Sequence, residues 1–130
     1  MKPITIEWVN KAEGDYTMLE RESRARKNRN YDGICFHAQQ CAEKYLKARL
    51  CEAGIEFKKI HDLVALLDKA LVVEPLWETY REHLAYLSDF AVNFRYPGES
   101  ADRVMALDAR KRCRHFRRAA REALGLDVTT

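Results

Sequence analysis

The stretch DGICFHAQQCAEKYLKARLCEAG occupies residues 32–54 and decides the fold. Asp32 fits an N-cap and Gly54 fits a helix stop, so the stretch predicts a helix from about Asp32 to Ala53. Ile34, Ala38, Cys41 and Tyr45 form one apolar side at helical spacing, and Cys35, Ala42, Leu46 and Leu50 form a second. A helix that is apolar on two sides packs against several neighbours, which puts this one at the centre of a bundle. Between the two sides runs a polar stripe of Gln40, Lys44 and Lys47, spaced four and three apart. Glu43 borders the stripe and can pair with Lys47 across one helical turn. A stripe placed there lines a polar cleft rather than open solvent.

Upstream, Val9, Ala12, Tyr16 and Leu19 predict a helix from roughly Thr5 to Arg24, followed by a polar loop over Arg26 to Asn30. Downstream, residues 55–60 read as a connection and His61 to Leu71 as a shorter helix with Leu63, Leu66, Leu67 and Ala70 inward. Pro75 suits a first helical turn, and Trp77, Tyr80, Leu84, Leu87, Ala91 and Phe94 carry that helix to about Asn93. Tyr96-Pro97-Gly98 is a strong stop. Ser100 can cap a last helix that runs to Leu124, ends at Gly125 and buries Met105, Ala109, Cys113, Phe116, Ala120 and Ala123. No alternating strand pattern, internal repeat or low-complexity tract interrupts this order. The expected fold is all-α: one domain over residues 1–130, an up-and-down bundle of four long helices plus one short helix.

Hydrophobic residues make up 47% of the 130 and charged residues 33%, the balance of a soluble globular chain rather than a disordered one. No apolar run approaches the roughly 18 residues of a membrane span, and the first residues carry no signal-peptide pattern. Cys35, Cys41, Cys51 and Cys113 form no CxxC pair, so reduced thiols in the cytoplasm are expected, with no metal site and no cofactor.

Three segments carry a resemblance. Phe36-His-Ala-Gln-Gln-Cys-Ala-Glu-Lys-Tyr-Leu-Lys47 looks like a family pattern of Gln, then Ala-Glu-Lys, then Lys. Lys59-Ile-His61-Asp62-Leu63 is similar to a Thr-His-Asp-Leu segment that precedes a Leu pair, supplied here by Leu66 and Leu67, with Ile60 in the Thr position. Phe94-Arg95-Tyr96-Pro97 is similar to an Arg-Tyr-Pro segment. In this order they resemble the HEPN family, in the Arg-Tyr-Pro branch associated with minimal nucleotidyltransferases. The resemblance implies a helical bundle, usually dimeric. It also implies a nucleotidyltransferase partner in a toxin–antitoxin-like system and a ligand that is a nucleotide or RNA.

The candidate phosphate-binding set is Gln40, Lys44, Lys47, His61, Arg95 and Tyr96. Ammonium groups offer point charges to a phosphate, and Arg offers a planar fork. Taken singly, each residue also has a plain structural reading as solvated surface or helix-end partner. Many HEPN proteins are ribonucleases with Arg, four to six residues, then His, where the His moves the proton and the Arg steadies the phosphate. Here Arg95 is followed through Asp102 without a His, so no catalytic residue is assigned and a non-catalytic subunit is expected. The alternatives are a metal-independent ribonuclease with a degenerate motif, using His61 or His37, and a purely structural dimer. Arg110-Lys-Arg-Cys-Arg-His115 matches the spacing but falls inside the last helix, where residues five apart diverge. Arg103, Arg110, Arg114, Arg117 and Arg121 make a basic stripe on that helix; it suits RNA backbone or an acidic partner protein, with an ordinary solvated face the favoured reading. Tyr86 and Phe90 are candidates for a dimer surface, with core packing the alternative.

Overall fold

A computed structural model describes residues 1–91 and 97–129. Five α-helices form the bundle among the described residues: α1 (Pro3–Ser23), α2 (Tyr31–Ala53), α3 (Leu63–Ala70), α4 (Arg81–Ser88) and α5 (Arg103–Ala123). Short 3₁₀ segments, Pro75–Tyr80 and Asp89–Ala91, bracket α4, so the fourth long element is composite. The expected end of that element at Asn93, together with Phe94, Arg95 and Tyr96, lies outside the described residues.

Side-chain ties fix the directions. Thr5 meets Glu52 (2.9 Å) and Lys44 meets Asp15, so α1 and α2 are antiparallel. The Asp32 carboxylate accepts the Ala101 N–H (2.6 Å) and the Tyr45 hydroxyl meets Arg121 (3.0 Å), so α5 runs parallel to α2. Arg112 donates to the Glu82 carbonyl (3.3 Å) and the Tyr86 hydroxyl to the Met105 carbonyl (3.4 Å), which sets α4 antiparallel to α5. The four long elements therefore alternate up and down. The short α3 descends beside α2, after residues 54–62 climb back from its end.

Helix starts differ from expectation by a residue or two. Asn30, not Asp32, caps α2 by accepting the Gly33 N–H (2.8 Å). That leaves the Asp32 carboxylate to hold the lead-in to α5. Asp102, not Ser100, caps α5 through the Met105 N–H (2.8 Å), and Asp62 caps α3 through the Val64 N–H (2.9 Å). Gly54 closes α2 in the left-handed region (φ 69°), with the Ile55 N–H reaching back to the Leu50 carbonyl (2.9 Å). Residues three apart eclipse in a 3₁₀ turn. This places Trp77 and Tyr80 together on Phe116, at 5.1 and 5.7 Å between ring centres.

The core is centred on α2, whose Ile34, Cys35, Ala38, Cys41, Ala42, Tyr45, Leu46, Ala48 and Leu50 are all buried. It meets Val9, Ala12 and Leu19 of α1, Leu63, Leu66 and Leu67 of α3, Leu84 and Leu87 of α4, and Ala109, Cys113 and Phe116 of α5. All four cysteines are free, and only Cys51 is half-exposed. Burial, with the nearby Asp32 and Asp102 carboxylates, pushes the Cys35 thiol up to about 12. No helix among the described residues is long and apolar enough to cross a membrane.

Candidate functional site

The polar stripe of α2 divides into two networks, each built around one carboxylate. Glu43 is buried and receives three side chains. The Lys47 ammonium lies 3.0 Å from its Oε2, His61 Nδ1 lies 3.2 Å from the same oxygen, and the Gln39 amide donates to Oε1 (3.0 Å). Gln40 joins through Gln39, donating to its carbonyl oxygen (2.6 Å). The loop of residues 54–62 explains why Lys47 is closed in. It lays Phe57 edge-on against Trp8 of α1 (6.1 Å), and the ammonium sits 5.4 Å from the Trp8 ring centre and 5.6 Å from that of Phe57. Only 6% of the Lys47 side chain is exposed, against 69% for His61 at the mouth of the network. A buried ammonium needs a counter-charge, and aromatic faces add to its stabilisation.

The second carboxylate belongs to α1. Asp15 receives the Lys44 ammonium on one oxygen and His37 Nδ1 (2.8 Å) on the other. Burial alone would raise the Asp15 carboxyl, but the hydrogen bonds from His37 and Lys44 outweigh it and hold the group below the usual carboxylate range. Asp15 lies three residues after Ala12 and four before Leu19, on the inward stripe of α1. An acid among core positions was the signal in the sequence that the stripe would find an anionic partner there.

Of the candidate residues, Gln40, Lys47 and His61 are thus brought together through Glu43, while Lys44 turns to α1. Arg95 and Tyr96 lie outside the described residues. Sequence reasoning missed Gln39, Asp15, Trp8 and Phe57 as parts of this arrangement. Each stripe lysine is matched by one carboxylate, so the region is balanced in charge. An ammonium has three donors, and Lys44, part-exposed, keeps some for an incoming anion, whereas Lys47 is enclosed. Among the described residues no three His, Cys, Asp or Glu side chains gather as a metal site requires.

A second ionic cluster ties α1 to α5. The Arg117 guanidinium grips Glu13 with two bonds (2.8 and 2.6 Å) while stacked on Tyr16 (3.9 Å from the ring centre). The Tyr45 hydroxyl also donates to Glu13. Arg110 grips Glu20 in the same forked way (3.0 and 2.9 Å). His115, by contrast, stacks on His83 of α4 (5.7 Å). The Arg110–His115 spacing therefore holds no acid–base pair, as the helix geometry predicted. Phe90 is buried against Tyr86 (5.1 Å), and Arg112 lies over Tyr86 (4.4 Å), so the two rings pack within the chain.

Against known proteins, no curated protein and no solved structure gives a match. Against known families, the HEPN domain matches residues 5–123. That span runs from the first turn of α1 to the last residue of α5 and takes in both networks, around Glu43 and around Asp15, and the chain belongs to the HEPN domain family.

Proposed function

We propose that this HEPN protein is a non-catalytic, single-domain cytoplasmic subunit. It forms a homodimer, pairs with a minimal nucleotidyltransferase in a toxin–antitoxin-like system, and takes a nucleotide or nucleic-acid phosphate on the α2 stripe. The observation that carries this reading is the saturated Glu43 carboxylate, held by Gln39, Lys47 and His61. A merely solvated helix face has no need to bury a carboxylate and an ammonium side by side, since water would stabilise both at less cost. Such a network fixes the orientation of the groups at its mouth. His61 and the part-exposed Lys44 then offer donors to a phosphate, with Arg95 and Tyr96 completing the set and Lys47 holding Glu43 in place. Support against catalysis comes from the residues after Arg95, where no His stands within four to six positions. Co-expression with a minimal nucleotidyltransferase encoded beside this chain tests the pairing. The two proteins co-purify on this account, and separation under gentle conditions removes its main support.

One observation favours the ribonuclease reading. Carboxylates hold Nδ1 of both His37 and His61, which leaves Nε2 of each ring for proton transfer. Purified protein incubated with mixed RNA beside Arg95→Ala and His61→Ala variants decides it. Cleavage lost in the variants supports an enzyme, and no cleavage, or equal cleavage by all three, removes that reading.

A further inference from the structure

The lysine and arginines of α5 beyond Arg103 divide by what they touch. Four are engaged within the fold. Arg110 grips Glu20, and Arg117 grips Glu13. Arg112 reaches Asp108 (3.1 Å), and Arg121 meets the Tyr45 hydroxyl (3.0 Å) and the Asp127 carbonyl (2.5 Å). Three others point outward. Among the described residues Lys111 and Arg114 form no hydrogen bond or ion pair, and Arg118 has only Glu122 at 3.7 Å, with both side chains mostly exposed. A pair of that kind is worth little.

These three cations line one open groove of about 680 Å³ between α5 and the segment that follows it, with His115, Tyr16 and Val128 also on its walls. Among the described residues none that lines the groove is acidic. Lys111 and Arg114 stand three apart and Arg114 and Arg118 four apart, so neighbouring like charges repel along the same face. A surface shaped for solubility alone mixes its signs. Glu13 and Glu20 of α1 bond to Arg117 and Arg110, which also line the groove, and Glu20 acts on Arg114 only through space. The α2 stripe is the opposite case, with one carboxylate to each lysine.

We propose that this groove is a second, separate binding site, which takes the phosphates of a nucleic-acid strand without reading its bases. Arg114 and Arg118 are about 6 Å apart along the helix axis at the α-helical rise, close enough to engage neighbouring phosphates of one strand. Their guanidinium forks fit two phosphate oxygens at once. Among the described residues Tyr16, one face covered by Arg117, is the only aromatic ring on the wall besides His115. With so little stacking surface the groove holds backbone rather than bases. The site stands whether or not the α2 stripe binds anything.

The test is fluorescence anisotropy with labelled oligouridylate, oligothymidylate and poly-glutamate across a salt series. Three phosphate contacts give a slope of log affinity on log salt of about −2, so strand binding weakens about 20-fold between about 50 and 200 mM salt. Lys111→Gln, Arg114→Gln and Arg118→Gln combined bring the slope close to zero. An unchanged melting midpoint shows that this variant is folded, and Lys111→Ala, Arg114→Ala and Arg118→Ala repeat the test with shorter side chains. Binding of both oligonucleotides supports a backbone groove open to either nucleic acid, and binding of the uridylate alone supports an RNA groove that reads the 2′-hydroxyl. Three results overturn the proposal: no strand binding at the lowest salt, an unchanged slope in the substituted protein, or poly-glutamate bound as tightly as the strands.

Discussion

Replacing Glu43 by Ala removes the counter-charge of an ammonium that the fold has closed in. The Lys47 side chain is 6% exposed, its nearest anion is Glu43 at 3.0 Å, and its remaining surroundings are the Trp8 and Phe57 rings. Breaking a buried pair from one side costs about 3–5 kcal/mol, because the other charge stays behind. The aromatic faces return about 1 kcal/mol of that. The buried Gln39 amide also loses its acceptor, which costs about 1 kcal/mol or more. The expected loss is therefore about 3–5 kcal/mol, a fall in melting midpoint of roughly 10 °C or more for a domain of this size. Removing both charges, with Glu43→Leu and Lys47→Met, leaves only the Gln39 and His61 donors unmet and costs about 1–2 kcal/mol. Urea unfolding of Glu43→Leu, Lys47→Met and the double variant closes the cycle. A Glu43→Ala loss below about 1 kcal/mol, or effects that simply add, would mean that water reaches Lys47 and that the network is ordinary surface.

Further tests address the rest of the framework. Arg117→Met leaves Glu13 without its fork, but the Glu13 side chain is 31% exposed and water replaces part of the loss, so urea unfolding shows about 2 kcal/mol. Burial raises the carboxyls of Glu13, Asp15 and Glu20, and their basic and hydroxyl partners more than reverse that, leaving each below its ordinary value of 4.5, 3.8 and 4.5. The unfolded chain then binds more protons than the folded one in acid. Stability is full above about pH 5 and falls as pH drops through the lowered values, and Asp15→Asn flattens that acid limb in pH-dependent unfolding. Thiol titration of the native protein reaches at most the half-exposed Cys51, whereas denatured protein titrates Cys35, Cys41 and Cys113 as well; fast native reaction at more than one site contradicts the buried placement.

The bundle was legible because its signals are local. Two apolar sides on α2, Gly54 after its last turn and Pro97-Gly98 before α5 each act within a few residues. What escaped depends on distant partners. Asp32 and Asn30 are both good caps, and the choice fell to Asn30 because Asp32 is drawn to Ala101, 69 residues away. The turn at Pro75–Tyr80 tightened to 3₁₀ because Trp77 and Tyr80 share one ring, Phe116. Spacing put Gln40, Lys44 and Lys47 on one stripe, and that is where they stand. It carried no information on which carboxylate each lysine meets. Lys47 finds Glu43 one turn away, a pairing the sequence does offer, whereas Lys44 finds Asp15 29 residues back on α1. Phe90 turned inward for a similar reason, since Tyr86 packs edge-on against it and Arg112 lies over Tyr86.

The central claim is that the α2 stripe, with its orienting network, is a phosphate site. Its most direct test is the melting temperature of the purified protein against rising ATP, GTP and short RNA, beside Lys44→Ala and Arg95→Ala. A ligand at 100 times its dissociation constant stabilises the folded state by about 2.7 kcal/mol, a rise of several degrees. The account predicts that rise for at least one nucleotide or RNA, and its loss in both variants. No rise with any of them, or one that persists undiminished in both variants, contradicts it.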